Sequence, residues 1–306
     1  MSNFSSITLL RLICCWEVFL LHWFVRAGLR DYLWIWSGAV PCFLMVSAFI
    51  YGLRPIEKQK WGMPFIVRRW KSIAMVYYPF VIAIFIWYTI GDFHNIGVYA
   101  LSALCELLFA TNVVTPLPGC GHLWFMQTLA LCYLLLAVIC HSERWRYYFS
   151  KTSIVMTITI LTFVVGGVSR NSTFVYLLFY WLTFIYAQEI LKYSKAIDVW
   201  MQAVIIAVLY LIFFYHYENV FWYGIYLRYF HTCLIAIFTI SFFIRLLEGR
   251  SLPKMVCWLS SISMEVYLVH HLFVFNYPIY ISLLLTIILS IALHWIGVRL
   301  KKYFLV

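Results

Sequence analysis

Acidic side chains are scarce in this 306-residue chain, which sets eleven aspartates and glutamates against 22 lysines and arginines. Charge of either sign is scarce too, at 11% of residues. No stretch between apolar runs is long enough for a separate soluble domain. Cysteine pairs at C-x-x-C spacing are lacking, and the nine cysteines are an odd number lying mostly in apolar runs. They read as small embedded hydrophobes and not as a redox or zinc framework. His270 and His271 are adjacent and point to different sides of a helix, unlike an i,i+4 ligand pair, so no metal site is expected. No G-x-S-x-G element occurs, which removes the serine-nucleophile hydrolases. A basic n-region and a small-residue cleavage site are missing as well, so the first apolar segment is expected to be retained as a span. Internal repeats and low-complexity segments are absent, although an inverted-repeat transporter would be expected to show weak symmetry between its halves.

What remains is apolar: 65% hydrophobic, 21% aromatic, with a mean hydropathy of +0.92. A soluble domain is near half apolar, so the composition indicates an integral membrane protein. The formal net charge of +11 then reflects basic cytoplasmic loops facing anionic headgroups, and no nucleic-acid partner is expected.

The first apolar segment, Ile7 to about Val25, carries Arg11, Glu17 and His22. At 100° per helical residue Arg11 and His22 lie within about 20° of one face, and roughly 16 Å apart along it. An arginine near a bilayer centre costs at least ~2.5–3.5 kcal/mol, so such residues normally face a polar interior. The two mark two depths of one polar stripe inside a bundle.

Apolar runs and the Lys/Arg asymmetry of short loops give the topology. The second span, about Leu33 to Leu53, follows a turn with Arg26, Arg30 and Asp31. The most basic loop comes next, with Arg54, Lys58, Lys60, Arg68, Arg69 and Lys71, and belongs in the cytoplasm. A third span runs from about Ser72 to Ile90. Residues 91–121 contain only a short apolar stretch with Glu106, and are expected to lie on or dip into the outer face. Later spans are Leu123–Cys140, Ile154–Val168, Phe174–Leu191, Val199–Tyr215, Ile225–Leu247, Val256–Phe275 and Ile279–Val298. The loop after Val199–Tyr215 is uncharged to acidic, with Glu218. The expected fold is an all-α bundle of about ten transmembrane helices, one domain over residues 1–306, with both termini cytoplasmic.

Five segments in order give the chain its resemblance. R-x(10)-H at Arg11 and His22 resembles the acyltransferase-3 family, membrane enzymes that mostly O-acylate sugars of bacterial surface polysaccharides. The family's Asp three residues before the Arg is Thr8 here. VPCFLMVSAFIYG resembles F-F-x-x-S-G-[FY], with Ala48 in place of the glycine after Ser47. FIVRRWKSI stands where the family has R-x-x-R, offering Arg68 and Lys71, or Arg69 followed by Ser72; a lysine keeps the charge but loses the bidentate fork. GHLWFMQTLALCYLL, from Gly121, resembles H-L-W-F-x-x-x-L, and SISMEVYLVHHLFV, from Ser261, resembles S-x-x-[IV]-Y-L-x-H.

The resemblance implies O-acyl transfer, most simply acetyl, from cytoplasmic acyl-CoA to a hydroxyl of a surface glycan or lipid-linked sugar, in the bacterial cytoplasmic membrane. Acyl-CoA enters as donor substrate, with no permanently bound cofactor. His22 is the expected general base, because an ordinary imidazole titrates near neutral pH. Arg11 would neutralise donor phosphate or the developing oxyanion, or else form a structural ion pair with Glu17 or Glu265. Arg68, Arg69 and Lys71 would receive the donor's phosphates, or simply anchor the helix at the headgroups. His122, Trp124, Tyr267 and His270 would meet the sugar. Glu265 reads as an interior partner for Arg11 or Arg228. Two other readings stay open: a glycan exporter or flippase using the same stripe as a conduit, and a scaffold for a polysaccharide assembly complex.

Overall fold

A computed structural model describes residues 5–29, 37–54, 59–169, 172–219 and 224–304. The expectations placed on Arg30, Asp31, Lys58, the start of the second span at Leu33 and the side chain of Glu218 lie outside the described residues.

All regular structure among the described residues is helical. Five helices are long and apolar enough to cross a membrane: α1 (Ser5–Arg26), α3 (Met63–Gly91), α5 (Trp124–Ile139, entered through a 3-10 turn from Gly121), α11 (Gly224–Leu246) and α15 (Ile279–Phe304). A sixth crossing arises if α8 (Ser172–Ile185) and α9 (Ala187–Ala196), bent by 71° at their junction, count as one span. Three further apolar helices are shorter in their described parts: α2 (Ala39–Gly52), α7 (Thr152–Ser169) and α10 (Val199–Asn219). With α4 (Ile96–Leu107) and α6 (Glu143–Ser150) they complete the chain up to the last region. The protein is therefore a multi-pass membrane protein.

The exterior and the core divide as a lipid solvent requires. Trp87, Ile90, Trp200, Val204, Leu284 and Ile288 are exposed, while Leu44, Met45, Phe49, Tyr77, Tyr180 and Met126 are fully buried. α2 lies at the centre, between α1, α8 and α11. Its approach to the α8–α9 bend depends on Gly52, where a Cβ would come within 2.2 Å of the Phe184 carbonyl oxygen. The close approach that the sequence reading attached to the position after Ser47 is thus made one helical turn later, and Ala48 is itself fully buried.

Two regions depart from simple spans. α3 begins earlier than the expected Ser72, at Met63, helped by a proline in its first turn and by Gly62 at φ 74. Arg68, Arg69 and Lys71 therefore occupy the first turns of a helix and not a loop. Residues 254–274 form a broken helix: α12 (Lys254–Ser261), α13 (Ser263–Val269) and α14 (His271–Val274). The last carbonyls of a helix lack intrahelical partners, and the break after α13 leaves those of Tyr267 and Leu268 to accept side chains. Residues 91–121 hold a 3-10 turn at Phe93–Asn95 and the 12-residue α4, about 18 Å long and too short to cross. Glu106, 1% exposed, closes this segment by accepting the Leu117 N–H at 2.9 Å.

Candidate functional site

The break after α13 gathers four histidines from three elements. His22 on α1 meets His270, with 3.0 Å between His22 Nδ1 and His270 Nε2. The His271 ring stands edge-on to His22 at 4.9 Å and stacks on His122 at 4.6 Å, and His122 is 5.0 Å from His270. Among the described residues, no three His, Cys, Asp or Glu side chains are disposed to hold a metal.

Backbone carbonyls fix the tautomers, because a carbonyl oxygen only accepts. His22 Nδ1–H donates to Val18 O at 3.0 Å and His270 Nδ1–H to Tyr267 O at 2.7 Å. His271 Nδ1–H donates to Gly119 O and His122 Nε2–H to Leu268 O, each at 3.1 Å. In neutral rings the remaining nitrogens are lone pairs. His22 Nδ1–H is accordingly shared between Val18 O and His270 Nε2, and His22 Nε2 is left as a proton acceptor.

The sequence-derived site residues divide between this cluster and a cavity. His270 and His122 are 1% and 3% exposed, so they act on their neighbouring rings and do not offer a surface to a sugar. Both nitrogens of His270 are engaged. Tyr267 is buried, donates its hydroxyl hydrogen to His122 O, and packs against Phe125 at 5.0 Å. Trp124 is half-buried and stacks on Tyr176 at 6.1 Å, away from the four rings. His271, which no motif marked, joins the cluster; its adjacency to His270 was the only signal.

Arg11 belongs to the cavity. A space of about 360 Å³ is lined by Arg11, Arg54, Arg69 and Lys301, with Ser47, Tyr133, Glu265, His294 and Tyr267 among its other walls. Arg11 Nη2 donates to Ser263 Oγ at 3.3 Å. Of the three cations expected at the donor mouth only Arg69 faces this space, its guanidinium 4.8 Å over the Tyr51 ring. Arg68 and Lys71 are exposed on the other side of α3. Arg54, just beyond α2, and Lys301, near the end of α15, line the cavity together with Arg69. Glu265 also differs from expectation: its partner is His294 Nδ1 at 2.7 Å, and neither Arg11 nor Arg228. Phe125 and Tyr267 both line the cavity; the Tyr267 ring also stands edge-on to His122 at 5.3 Å, with Phe125 packed behind it at 5.0 Å, so Tyr267 lies between the cavity and the histidines.

Comparison with known proteins agrees with this architecture. The model of a family described as an acyltransferase domain matches residues 4–300. No curated protein and no solved structure matches the chain. A match over nearly the whole length, on a multi-pass helical bundle with a buried polar site, means that the chain belongs to the acyltransferase-3 family of membrane acyltransferases.

Proposed function

We propose that the protein transfers an acyl group, acetyl in the simplest case, from cytoplasmic acyl-CoA to a hydroxyl of a surface polysaccharide or lipid-linked sugar. The observation that carries this reading is His22, whose Nδ1–H is committed to Val18 O and His270 so that Nε2 remains a base. A hydroxyl attacks a thioester only when its proton has somewhere to go.

The donor's phosphates sit among Arg54, Arg69 and Lys301, three cations that line one cavity. Its arm passes Arg11, and its thioester reaches His22 beyond Tyr267 and Phe125. There His22 Nε2 takes the acceptor's proton, the oxygen adds to the carbonyl carbon, and the C–S bond breaks. The proton returns from His22 to the leaving sulfur, giving ester and free CoA thiol. His270 orients His22 through the shared Nδ1–H, as a carboxylate does in a hydrolase triad. His271 and Trp124, both partly exposed, stand on the acceptor side.

Topology and location belong to the same proposal: about ten crossings of a bacterial cytoplasmic membrane, with both termini in the cytoplasm. The Lys/Arg distribution supports it, together with the three shorter apolar helices and the broken α12–α14.

The test is the acyl content of surface glycan, by NMR and mass spectrometry, from cells carrying wild type, His22→Ala or no gene, at matched membrane levels. Acylation is expected to vanish in His22→Ala while unacylated glycan still reaches the surface. Unchanged modification with reduced export would instead make the polar stripe a conduit, and the acyl-transfer reading would fall.

A further inference from the structure

In the wall of the cavity a carboxylate and an imidazole are paired with no task in the transfer described above. Glu265 on α13 is 3% exposed, and its Oε1 accepts the Nδ1–H of His294 on α15 at 2.7 Å. Its second oxygen is buried without a hydrogen bond. A carboxylate inside a membrane bundle is costly, and such groups mark ligand or ion pathways.

The arrangement holds an imidazole for use. With Nδ1–H committed to Glu265, His294 Nε2 carries the lone pair. The His294 side chain keeps 31% of its surface, and its ring lines the cavity. The orientation is set by packing. Gly297, three residues on along the same face of α15, lies so close to α3 that a Cβ there would come within 2.7 Å of Val76 Cγ2. Arg11 faces the same space from α1, tethered to Ser263 two residues before Glu265. The cavity is thus lined by a held acceptor, His294 Nε2, and by a tethered donor, Arg11.

An amide presents a carbonyl and an N–H together, which is the complement of this pair. We propose that Arg11 and the Glu265–His294 pair form an amide-recognising subsite that grips the pantetheine arm of the donor. This rests on the acyl-CoA reading above and extends it. Arg11 donates to an amide carbonyl, His294 Nε2 accepts the amide N–H, and Glu265 positions the His294 ring. A pantetheine arm contains two amides, whereas a fatty chain or an isoprenoid carrier has none, so the subsite selects thioester donors over lipids entering from the bilayer.

The experiment is calorimetry on the full chain in nanodiscs with two probes. S-acetonyl-CoA keeps the arm and cannot transfer, and adenosine 3′,5′-bisphosphate lacks the arm. His294→Leu is expected to weaken acetonyl-CoA binding about 10-fold, leaving the bisphosphate unchanged. Glu265→Met, which frees the ring without deleting it, shows a smaller loss in the same direction and serves if His294→Leu does not fold. Equal acetonyl-CoA affinity in wild type and variants sinks the subsite alone. Parallel losses for both probes sink it as well, since the pair would then be supporting the cationic end. Reduced turnover with unchanged binding also overturns it and makes the pair an acid–base device. A wild type that binds neither probe removes the donor reading, and the subsite with it.

Discussion

Replacing His270 by alanine removes the acceptor that His22 Nδ1–H meets at 3.0 Å and leaves the His22 ring free to turn. Turnover should fall by about 10²-fold or more, the usual contribution of a positioned base. His270→Gln separates orientation from proton acceptance, because an amide oxygen receives the same hydrogen bond but takes up no proton. If His270 only orients His22, glutamine should recover most of the activity with an unchanged pH–rate profile; a transferase assay in nanodiscs reads both. At this scale the sequence was informative wherever chemistry broke an apolar run. Arg11 and His22 stood out on that ground, Tyr267 and His270 through the motif resemblance, and the structure brings Tyr267, His270 and His22 together. It could not reveal pairs made across distant elements. Glu265 and His294 are 29 residues apart and meet through the packing of α13 on α15. For the same reason Glu265 was assigned to Arg11 or Arg228, cations that the sequence places within other apolar runs.

The segment between α3 and α5 is the element whose behaviour should depend most plainly on pH. Burial pushes the Glu106 carboxyl up to about 7 from an ordinary value of 4.5, with the Leu117 N–H opposing the shift. Between those values the folded chain holds a proton that the unfolded chain releases. Its contribution is therefore greatest below about pH 4.5, declines as the pH rises toward 7, and is level above that. Amide exchange over residues 108–120, corrected for intrinsic rates, should show less protection at about pH 8 than at about pH 5.5. Glu106→Gln should flatten that difference. The sequence marked this stretch as too short and too polar to cross, and α4 at 12 residues agrees. What it did not reveal was the start of α3, because a proline and a positive-φ glycine begin the helix inside a stretch that charge alone assigns to a loop. That shift of a few residues turns Arg69 inward and leaves Arg68 and Lys71 outside.

For the molecule as a whole, the cavity's cations come from four helices: Arg11 from α1, Arg54 at the end of α2, Arg69 from α3 and Lys301 from α15. Removing two of them in Arg54→Gln/Lys301→Gln should raise KM for acyl-CoA about 10-fold with little change in kcat. In the proposed transfer they bind a part of the donor that does not react. Initial rates at varied acyl-CoA, repeated at low and high salt, give the measurement, and the KM difference should narrow as salt screens the remaining charges. Membrane class and family were legible from composition and from five ordered motifs. The cavity was not, since its mouth is assembled from residues at helix ends that read one by one as ordinary headgroup anchors.

The Tyr267–Phe125 wall bears on the cell's energy supply. Arginine, serine and histidine side chains stacked through a bilayer would form a wire for water and protons, and a membrane that stores an electrochemical gradient cannot tolerate an open one. Tyr267 is 5% exposed, Phe125 is 3% exposed, and the tyrosine hydroxyl is fastened to the His122 carbonyl. They interrupt the polar column at one layer of aromatic rings. In the proposed transfer the acyl arm is the one group that has to pass this layer. On that reading, acyl transfer would be insulated from charge leakage by a single layer of aromatic rings.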